Sequence, residues 1–300
     1  MQGAKFVDVE GIRTRYFTAG KGEPVVFVNG ADFGQLGHAE NWGLVFDEFA
    51  KHFRVYAFDK IGQGYTDNPK TDRDYLKGTQ VKHLYDFIKT MGIQPASIMG
   101  VSRGGYDVCR LTLEHPEVVK TVTIIDSATL MSRQGGGATE FYQEVKRKAD
   151  QIADPRERAR YSLTANSFSG KWITEQYIDT ELEIMSLPKI REAEAKMNGP
   201  GYLEGPLAAR FVEDMLARRK ETQGWLRAGR LTVPTLIMWG YNDPSALLEP
   251  MGLDALRLIF AHNPRSQMHI LNQAGHFCYS EQPRAFAAIV TAFIKSSSSE

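Results

Sequence analysis

Ser102, Asp243 and His276 stand in that order along the 300-residue chain, and together they could run nucleophilic acyl chemistry. Ser102 lies in Gly100-Val101-Ser102-Arg103-Gly104, a G-x-S-x-G pattern set between an apolar run and a helical one. That is the layout of a nucleophile elbow, a sharp strand-to-helix turn that exposes a serine hydroxyl. Serine alone is a weak nucleophile at neutral pH. It needs a base within hydrogen-bond reach and a third group to orient that base. Asp243 occurs in Trp239-Gly240-Tyr241-Asn242-Asp243-Pro244 and His276 in Asn272-Gln273-Ala274-Gly275-His276-Phe277. Each follows an expected strand, and reactive groups of an open parallel sheet gather at the carboxyl ends of its strands. Asp126 also ends an expected strand and is the alternative acid.

The flanking residues have physical jobs in such a turn. Side chains two positions either side of the serine would collide with neighbouring strand or helix, so Gly100 and Gly104 are required there and Gly105 adds room. An oxyanion hole would use the backbone N–H of Arg103, just after the nucleophile. Its second donor would be the N–H of Ala31, in the loop Asn29-Gly30-Ala31-Asp32. Other features read as structural. Asp59, in Asp59-Lys60-Ile61-Gly62-Gln63-Gly64, is expected to be a turn residue, and those glycines open no helix and form no dinucleotide fingerprint. Cys278 is expected to serve packing. With no H-E-x-x-H or paired-cysteine motif, no metal and no cofactor are expected.

The elements that must carry these residues alternate between strand and helix. Segments 5–9 and 12–17 alternate in polarity around Glu10-Gly11 and read as a hairpin. Apolar runs predict strands at 25–28, 54–58, 96–99, 119–125, 235–239 and 267–271. Helical spacing predicts helices at 45–52, 80–91, 106–115 and 283–294. This rhythm describes an α/β fold, a mainly parallel sheet with helices on both faces. It breaks near Leu130, where Gly135-Gly136-Gly137 reads as a hinge, and from about 139 to 230 only helical patterns occur. The organisation expected is a core of residues 1–130 and 231–300 with a helical cap at 131–230. The serine run at 296–299 with Glu300 reads as a frayed tail.

Composition narrows the function classes. The chain is 42% hydrophobic and 24% charged, with 36 basic and 36 acidic residues, so no basic excess points to nucleic acid or an anionic membrane. No apolar run is long enough to span a bilayer, and the first ten residues lack a signal-peptide core. Two cysteines, Cys109 and Cys278, provide no disulfide framework, and a cytoplasmic location is expected. The expected partner is a small-molecule substrate.

Asn29-Gly30, Asp59-x-x-Gly62-x-Gly64, the Ser102 elbow, Gly240-x-x-Asp243 and Gly275-His276 together resemble the α/β-hydrolase superfamily over nearly the whole chain. The resemblance implies an eight-stranded, mostly parallel sheet, a cap over the site, and a Ser102–His276–Asp243 triad. Within the superfamily the chain is similar to the meta-cleavage product hydrolases, which cut a carbon–carbon bond in ring-opened aromatic dienones. The similarity rests on Ala39-Glu40-Asn41-Trp42, Val55-Tyr56-Ala57-Phe58-Asp59 and Val81-Lys82-His83-Leu84-Tyr85-Asp86-Phe87-Ile88. It implies that Asn41 contacts the polar end of the substrate; Trp42, Arg103, Phe277 and Trp172 are further candidates. The chain departs from the family pattern at Val101 (usually asparagine), Arg103 (usually methionine), Phe277 (usually tryptophan) and Asn29 (usually histidine). Where the family's carboxylate-holding cap arginine is sought, Tyr177-Ile178-Asp179-Thr180-Glu181 is acidic. The leading expectation is therefore C–C hydrolysis of a dienone or diketone. A carboxylesterase or lactonase is the alternative, and a ligand-binding receptor on the same scaffold the third reading. A homodimer is implied by the resemblance alone.

Overall fold

The computed structural model describes residues 1–35, 37–131, 138–199 and 201–297. The glycine run Gly135-Gly136-Gly137 and the last residues of the serine tail, 298–300, lie outside them. Eight strands form one sheet: β1 (Lys5–Val9), β2 (Ile12–Ala19), β3 (Pro24–Val28), β4 (Arg54–Phe58), β5 (Ala96–Val101), β6 (Val119–Ile125), β7 (Thr235–Gly240) and β8 (Ser266–Leu271). Their order is β1-β2-β4-β3-β5-β6-β7-β8. Strand β2 is antiparallel to both neighbours, and every other pairing that carries the site is parallel. The β1–β2 turn has positive φ at both Glu10 (52°) and Gly11 (80°), the geometry that matches strand twist in a two-residue hairpin.

The central strands are apolar along their length because both faces are covered. Alternate residues divide between two cores. Val26, Val28, Ile98, Val122, Ile124 and Ile237 face one side, and Val25, Phe27, Met99, Leu236 and Met238 face the other. On the second face lies α1 (Gly43–Ala50). The first face is covered by α2 (Lys77–Thr90), with Leu84, Phe87 and Ile88, and by α3 (Arg103–Glu114), with Val108 and Leu111. Helix α3 starts at Arg103, earlier than the spacing suggested, because Gly104 and Gly105 hid the start by their low helix propensity.

Between β6 and β7 the described residues contain helices and no strand: α4 (Ala128–Met131), α5 (Ala138–Ala149), α6 (Pro155–Ala165), α7 (Glu175–Ser186), α8 (Pro188–Met197) and α9 (Ala208–Arg227). Side-chain caps fix two of their starts, Asp154 accepting from the Arg156 N–H and Thr174 from the Tyr177 N–H. Helix α9 packs on α2, α3 and α4, and its Phe211 and Met215 join Phe33, Ile61 and Tyr75 in one cluster. After β7 come α10 (Leu253–Phe260), α11 (Cys278–Glu281) and α12 (Pro283–Ser297), the last placing Phe286, Val290 and Phe293 beside α1. No helix of the described residues is long and apolar enough to cross a membrane.

A chain of alternating charges fastens α7 to the sheet. Arg15 on β2 donates from Nε to Asp59 Oδ2 at 2.6 Å and from Nη1 and Nη2 to Glu40 at 2.8 and 2.6 Å. Asp59 also accepts from the backbone N–H groups of Ala39 and Tyr65, at 2.7 and 2.8 Å, which is the structural turn role expected of it. His38 stands between Glu40 (3.0 Å) and Glu181 of α7 (2.9 Å). Burial opposes a charge on His38, but Glu181 and Glu40 outweigh it and push its pKa to about 10. Burial likewise opposes ionisation of Glu40, and His38 and Arg15 overcome it, pulling its pKa to about 2.

Two expected outcomes follow from this network. Asp59→Asn replaces an acceptor by an amide facing four donors, so the unfolding free energy should drop by about 3–5 kcal/mol in urea titration. A drop below about 1 kcal/mol would show the network to be dispensable. The second concerns pH. The His38 contribution is complete below its unfolded pKa of about 6.5 and is lost as pH rises toward about 10. Glu181→Gln should flatten the decline of wild-type stability across that window, and an unchanged decline would contradict the assignment.

Candidate active site

The chain passes so close to itself after β5 that only glycine fits at three positions. A Cβ on Gly104 would lie 2.6 Å from the Val28 carbonyl oxygen and closer still to that of Asn29. One on Gly100 would strike the Gly104 carbonyl, and one on Gly105 would come within 2.8 Å of Ser127 Cβ. Ser102 sits at the apex with φ 55° and ψ −120°, a conformation that costs an L-residue strain. The strain is held by hydrogen bonds on both sides. The Ser102 N–H donates to Ile125 O at 2.8 Å, and Ser127 Oγ donates to Ser102 O at 2.6 Å. Ala31, the other residue expected to offer an oxyanion N–H, also adopts a left-handed conformation, with φ 57°.

His276 follows β8 and Asp243 follows β7, so the adjacent strand ends bring them together. His276 Nδ1 lies 2.6 Å from Asp243 Oδ2. A carboxylate oxygen can only accept, so Nδ1 carries a proton, and in the neutral ring the lone pair is on Nε2. The other oxygen, Asp243 Oδ1, accepts from Ser245 N–H (2.8 Å), Ser245 Oγ (3.0 Å) and Ala246 N–H (2.8 Å). The His276 backbone is tied to Asn166 O at 3.0 Å, and Tyr142 OH reaches Ser245 Oγ at 3.2 Å, so residues of α5 and the end of α6 brace the pair. Burial disfavours the imidazolium, but the Asp243 carboxylate more than compensates and the His276 pKa is raised above 6.5.

Asp126, the alternative acid, is bonded differently. Its Oδ1 accepts the Gly240 N–H at 2.7 Å, linking β6 to β7. Burial first, and the neighbouring Asp243 second, raise its pKa, against the opposing pull of His276 and of the hydrogen bonds from Gly240 and Cys278. Cys278 is buried against it.

The substrate-binding candidates divide. Asn41 Oδ1 accepts from Tyr177 OH at 2.9 Å. Trp172 packs on both Tyr177 and Phe277, each at 5.0 Å between centroids, and Phe277 lies beside the His276 ring at 5.7 Å. Trp42 is packed inward. It is 0% exposed, stacked on Tyr279 at 4.4 Å and tilted on Phe27 at 5.0 Å, and its buried indole N–H has no hydrogen-bond partner among the described residues. The Arg103 side chain is already engaged, with Asp32 at 2.5 Å, Met215 Sδ at 2.5 Å and Tyr202 OH at 2.9 Å. Sequence reasoning missed Ser245 and Ser127. Ser245 had a legible signal, a serine two residues after Asp243 whose N–H returns to that carboxylate as in an Asx turn. A separate surface groove of about 840 Å³ between α9 and α10, lined by Arg219, Lys220, Arg227, Arg257 and His262, includes none of these residues.

A family model described as the alpha/beta hydrolase fold matches residues 23–283. The 2-hydroxy-6-oxo-6-(2'-aminophenyl)hexa-2,4-dienoic acid hydrolase of Metapseudomonas resinovorans is 38% identical over 97% of this chain and 90% of its own length. The 2-hydroxymuconate semialdehyde hydrolase of Pseudomonas sp. (strain CF600) is 26% identical over 95% of this chain and 91% of its own. Among solved structures, a serine hydrolase involved in carbazole degradation superimposes with a TM-score of 0.72 at 25% identity, covering 98% of each chain. A meta-cleavage product hydrolase shares the fold with a TM-score of 0.75 at 24% identity, covering 97% of this chain and 98% of its own. Matched by that family model from residue 23 to 283 and by a 38%-identical relative over nearly its whole length, the chain belongs to the α/β-hydrolase family, where it groups with the hydrolases of meta-cleavage products.

Proposed function

We propose that the chain hydrolyses the carbon–carbon bond beside a carbonyl in a small, ring-opened aromatic dienone, with Ser102 as nucleophile, His276 as base and Asp243 as its orienting acid. The observation that carries the reading is the 2.6 Å His276–Asp243 hydrogen bond, taken with the strained elbow that presents Ser102 after β5. The 38% identity to a named dienoic acid hydrolase supports the substrate class. In this reading His276 Nε2 takes the Ser102 proton as Oγ attacks the carbonyl carbon. The developing oxyanion is met by the N–H groups of Ala31 and Arg103. The C–C bond then breaks toward the ketonised dienol carbon, which receives the proton from His276. Water, deprotonated by the same imidazole, releases the acyl group from Ser102. Asn41, with its Oδ1 occupied by Tyr177, would present its amide N–H₂ to the polar end, and Phe277 and Trp172 would form an apolar wall.

Residues 131–230 serve as the cap and residues 1–130 and 231–300 as the core in this reading. Two buried free cysteines fit a reducing, cytoplasmic setting. The homodimer implied by the family resemblance is a question for sedimentation velocity. A second reading, a carboxylesterase or lactonase, is favoured by one observation. Glu181, in the acidic stretch where a carboxylate-holding arginine was sought, is 1% exposed and committed to His38. Paired in this way, the stretch offers a substrate carboxylate no cation of its own.

A paired assay with 2-hydroxy-6-oxo-6-(2'-aminophenyl)hexa-2,4-dienoate and p-nitrophenyl acetate separates the two readings. Dienone turnover with the higher kcat/KM is expected, and ester turnover alone would sink the C–C assignment. Ser102→Ala should lower kcat/KM by roughly 10⁴-fold or more on either substrate. The pH profile has a definite sign. The base acts when neutral and its pKa is raised, so kcat/KM should climb with pH through a limb centred above 6.5. Asp243→Asn, which removes the partner holding the tautomer, should cost about 10⁴-fold in kcat. Asp126→Asn should cost far less, and equal losses would contradict the assignment of the acid.

A further inference from the structure

Beneath the elbow lies a buried cluster of charges that the proposed mechanism leaves unused. Lys60, just after β4, is 0% exposed and donates from Nζ to Asp107 Oδ2 at 2.9 Å and to Ala31 O at 3.1 Å. Lys77, the first residue of α2, is also 0% exposed. Its Nζ lies 2.6 Å from Asp107 Oδ1, 3.0 Å from Gln80 Oε1, 3.3 Å from Arg103 O and 3.4 Å from Asp32 Oδ1. Asp32 completes the circuit by pairing with Arg103 Nε at 2.5 Å. Two lysines thus each hold the carbonyl of one residue proposed to donate an oxyanion N–H, and Asp107 bridges the lysines. With every group ionised, three cations face two anions, leaving one positive charge in excess under the elbow.

Stability alone is a poor reason for such an arrangement. Replacing buried ion pairs by well-packed apolar side chains is often neutral or stabilising. The two backbone segments being held explain it better. Ala31 adopts a left-handed φ of 57° and Arg103 directly follows a serine at φ 55°, so both donors sit on strained backbone that relaxes unless tied. Donors aimed at a developing oxyanion act through fixed direction and a favourable field, both of which this cluster supplies.

Resting on the proposed roles of the Ala31 and Arg103 N–H groups, we infer that Lys60 and Lys77 are positioning residues that lock the two halves of the oxyanion hole into one geometry and place a positive charge behind it. The charge on Lys60 is sensitive to pH. Burial, opposed by Asp107 and aided by Lys77, lowers its pKa to about 8. The groups facing it are Asp107 on α3, Lys77 on α2, Asp32 after β3, and His83 on α2, which burial and Lys60 itself keep neutral with a pKa near 3. As pH rises through about 8, Lys60 loses its charge, the field behind the hole weakens and kcat falls while substrate affinity stays.

The test follows p-nitrophenyl acetate turnover by the full-length wild type, Lys60→Met and Ser102→Ala across pH. Lys60→Met is expected to lower kcat by about 10- to 100-fold with KM within about twofold. The alkaline limb in wild-type kcat near pH 8 should vanish in that variant. An inactive Ser102→Ala beside a Lys60→Met of wild-type kcat would overturn this inference and leave the serine reading standing. A fully active Ser102→Ala would remove both. Should Lys60→Met fail to fold, the wild-type profile decides alone, and a flat kcat between about pH 7 and about pH 9.5 overturns the inference.

Discussion

Steric contact between backbone segments at the end of β5 is the constraint from which the site follows. The carbonyls of Val28 and Asn29 press against Gly104 so closely that no side chain can intervene. That contact pins the start of α3 to the end of β3. It therefore fixes two things at once: the left-handed turn at Ser102, and the loop carrying Ala31 beside it. Asn29 reinforces the junction by donating to Phe58 O at 3.1 Å, which ties β3 to β4. Asn29 thus serves the backbone. The Ile125 and Ser127 hydrogen bonds then extend the same junction to β6.

Electrostatics assigns roles among similar groups. Two carboxyls, Asp126 and Asp243, end adjacent strands, and only one is surrounded by donors. Asp243 accepts from Ser245, Ala246 and His276, whereas Asp126 accepts one backbone N–H and a thiol, and burial and its neighbour raise its pKa. Environments that push paired acids apart are a recurring way to give each a different task. The same logic acts further out. His38 and Glu40 hold each other charged between the sheet and α7, so the helix that carries Glu181 and Tyr177 is docked by ion pairs as well as by packing.

Local patterns were legible in the sequence and distant partners were not. The strands, the hairpin turn and the elbow announce themselves through alternation, apolar runs and glycine spacing over a few residues. The Asp243–His276 contact was legible through the positions of both residues after strands, although periodicity alone left Asp126 open. The direction of Trp42 was not legible, because a tryptophan beside Asn41 reveals its neighbour and not its orientation; the ring packs in the core on Tyr279. Lys60 and Lys77 were invisible for a different reason. Lysine is almost always exposed, and the partners that justify burying these two lie 47 and 30 residues away in the chain. His38 and Glu181, 143 residues apart, share that problem.

The central claim, that Ser102 is an activated nucleophile, is tested most directly by covalent trapping with a fluorophosphonate and peptide mass spectrometry. The account predicts stoichiometric labelling of the peptide holding Ser102, no labelling after Ser102→Ala, and strongly slowed labelling after removal of the His276 imidazole. Labelling at another residue, or full turnover by protein whose Ser102 is quantitatively blocked, would contradict it.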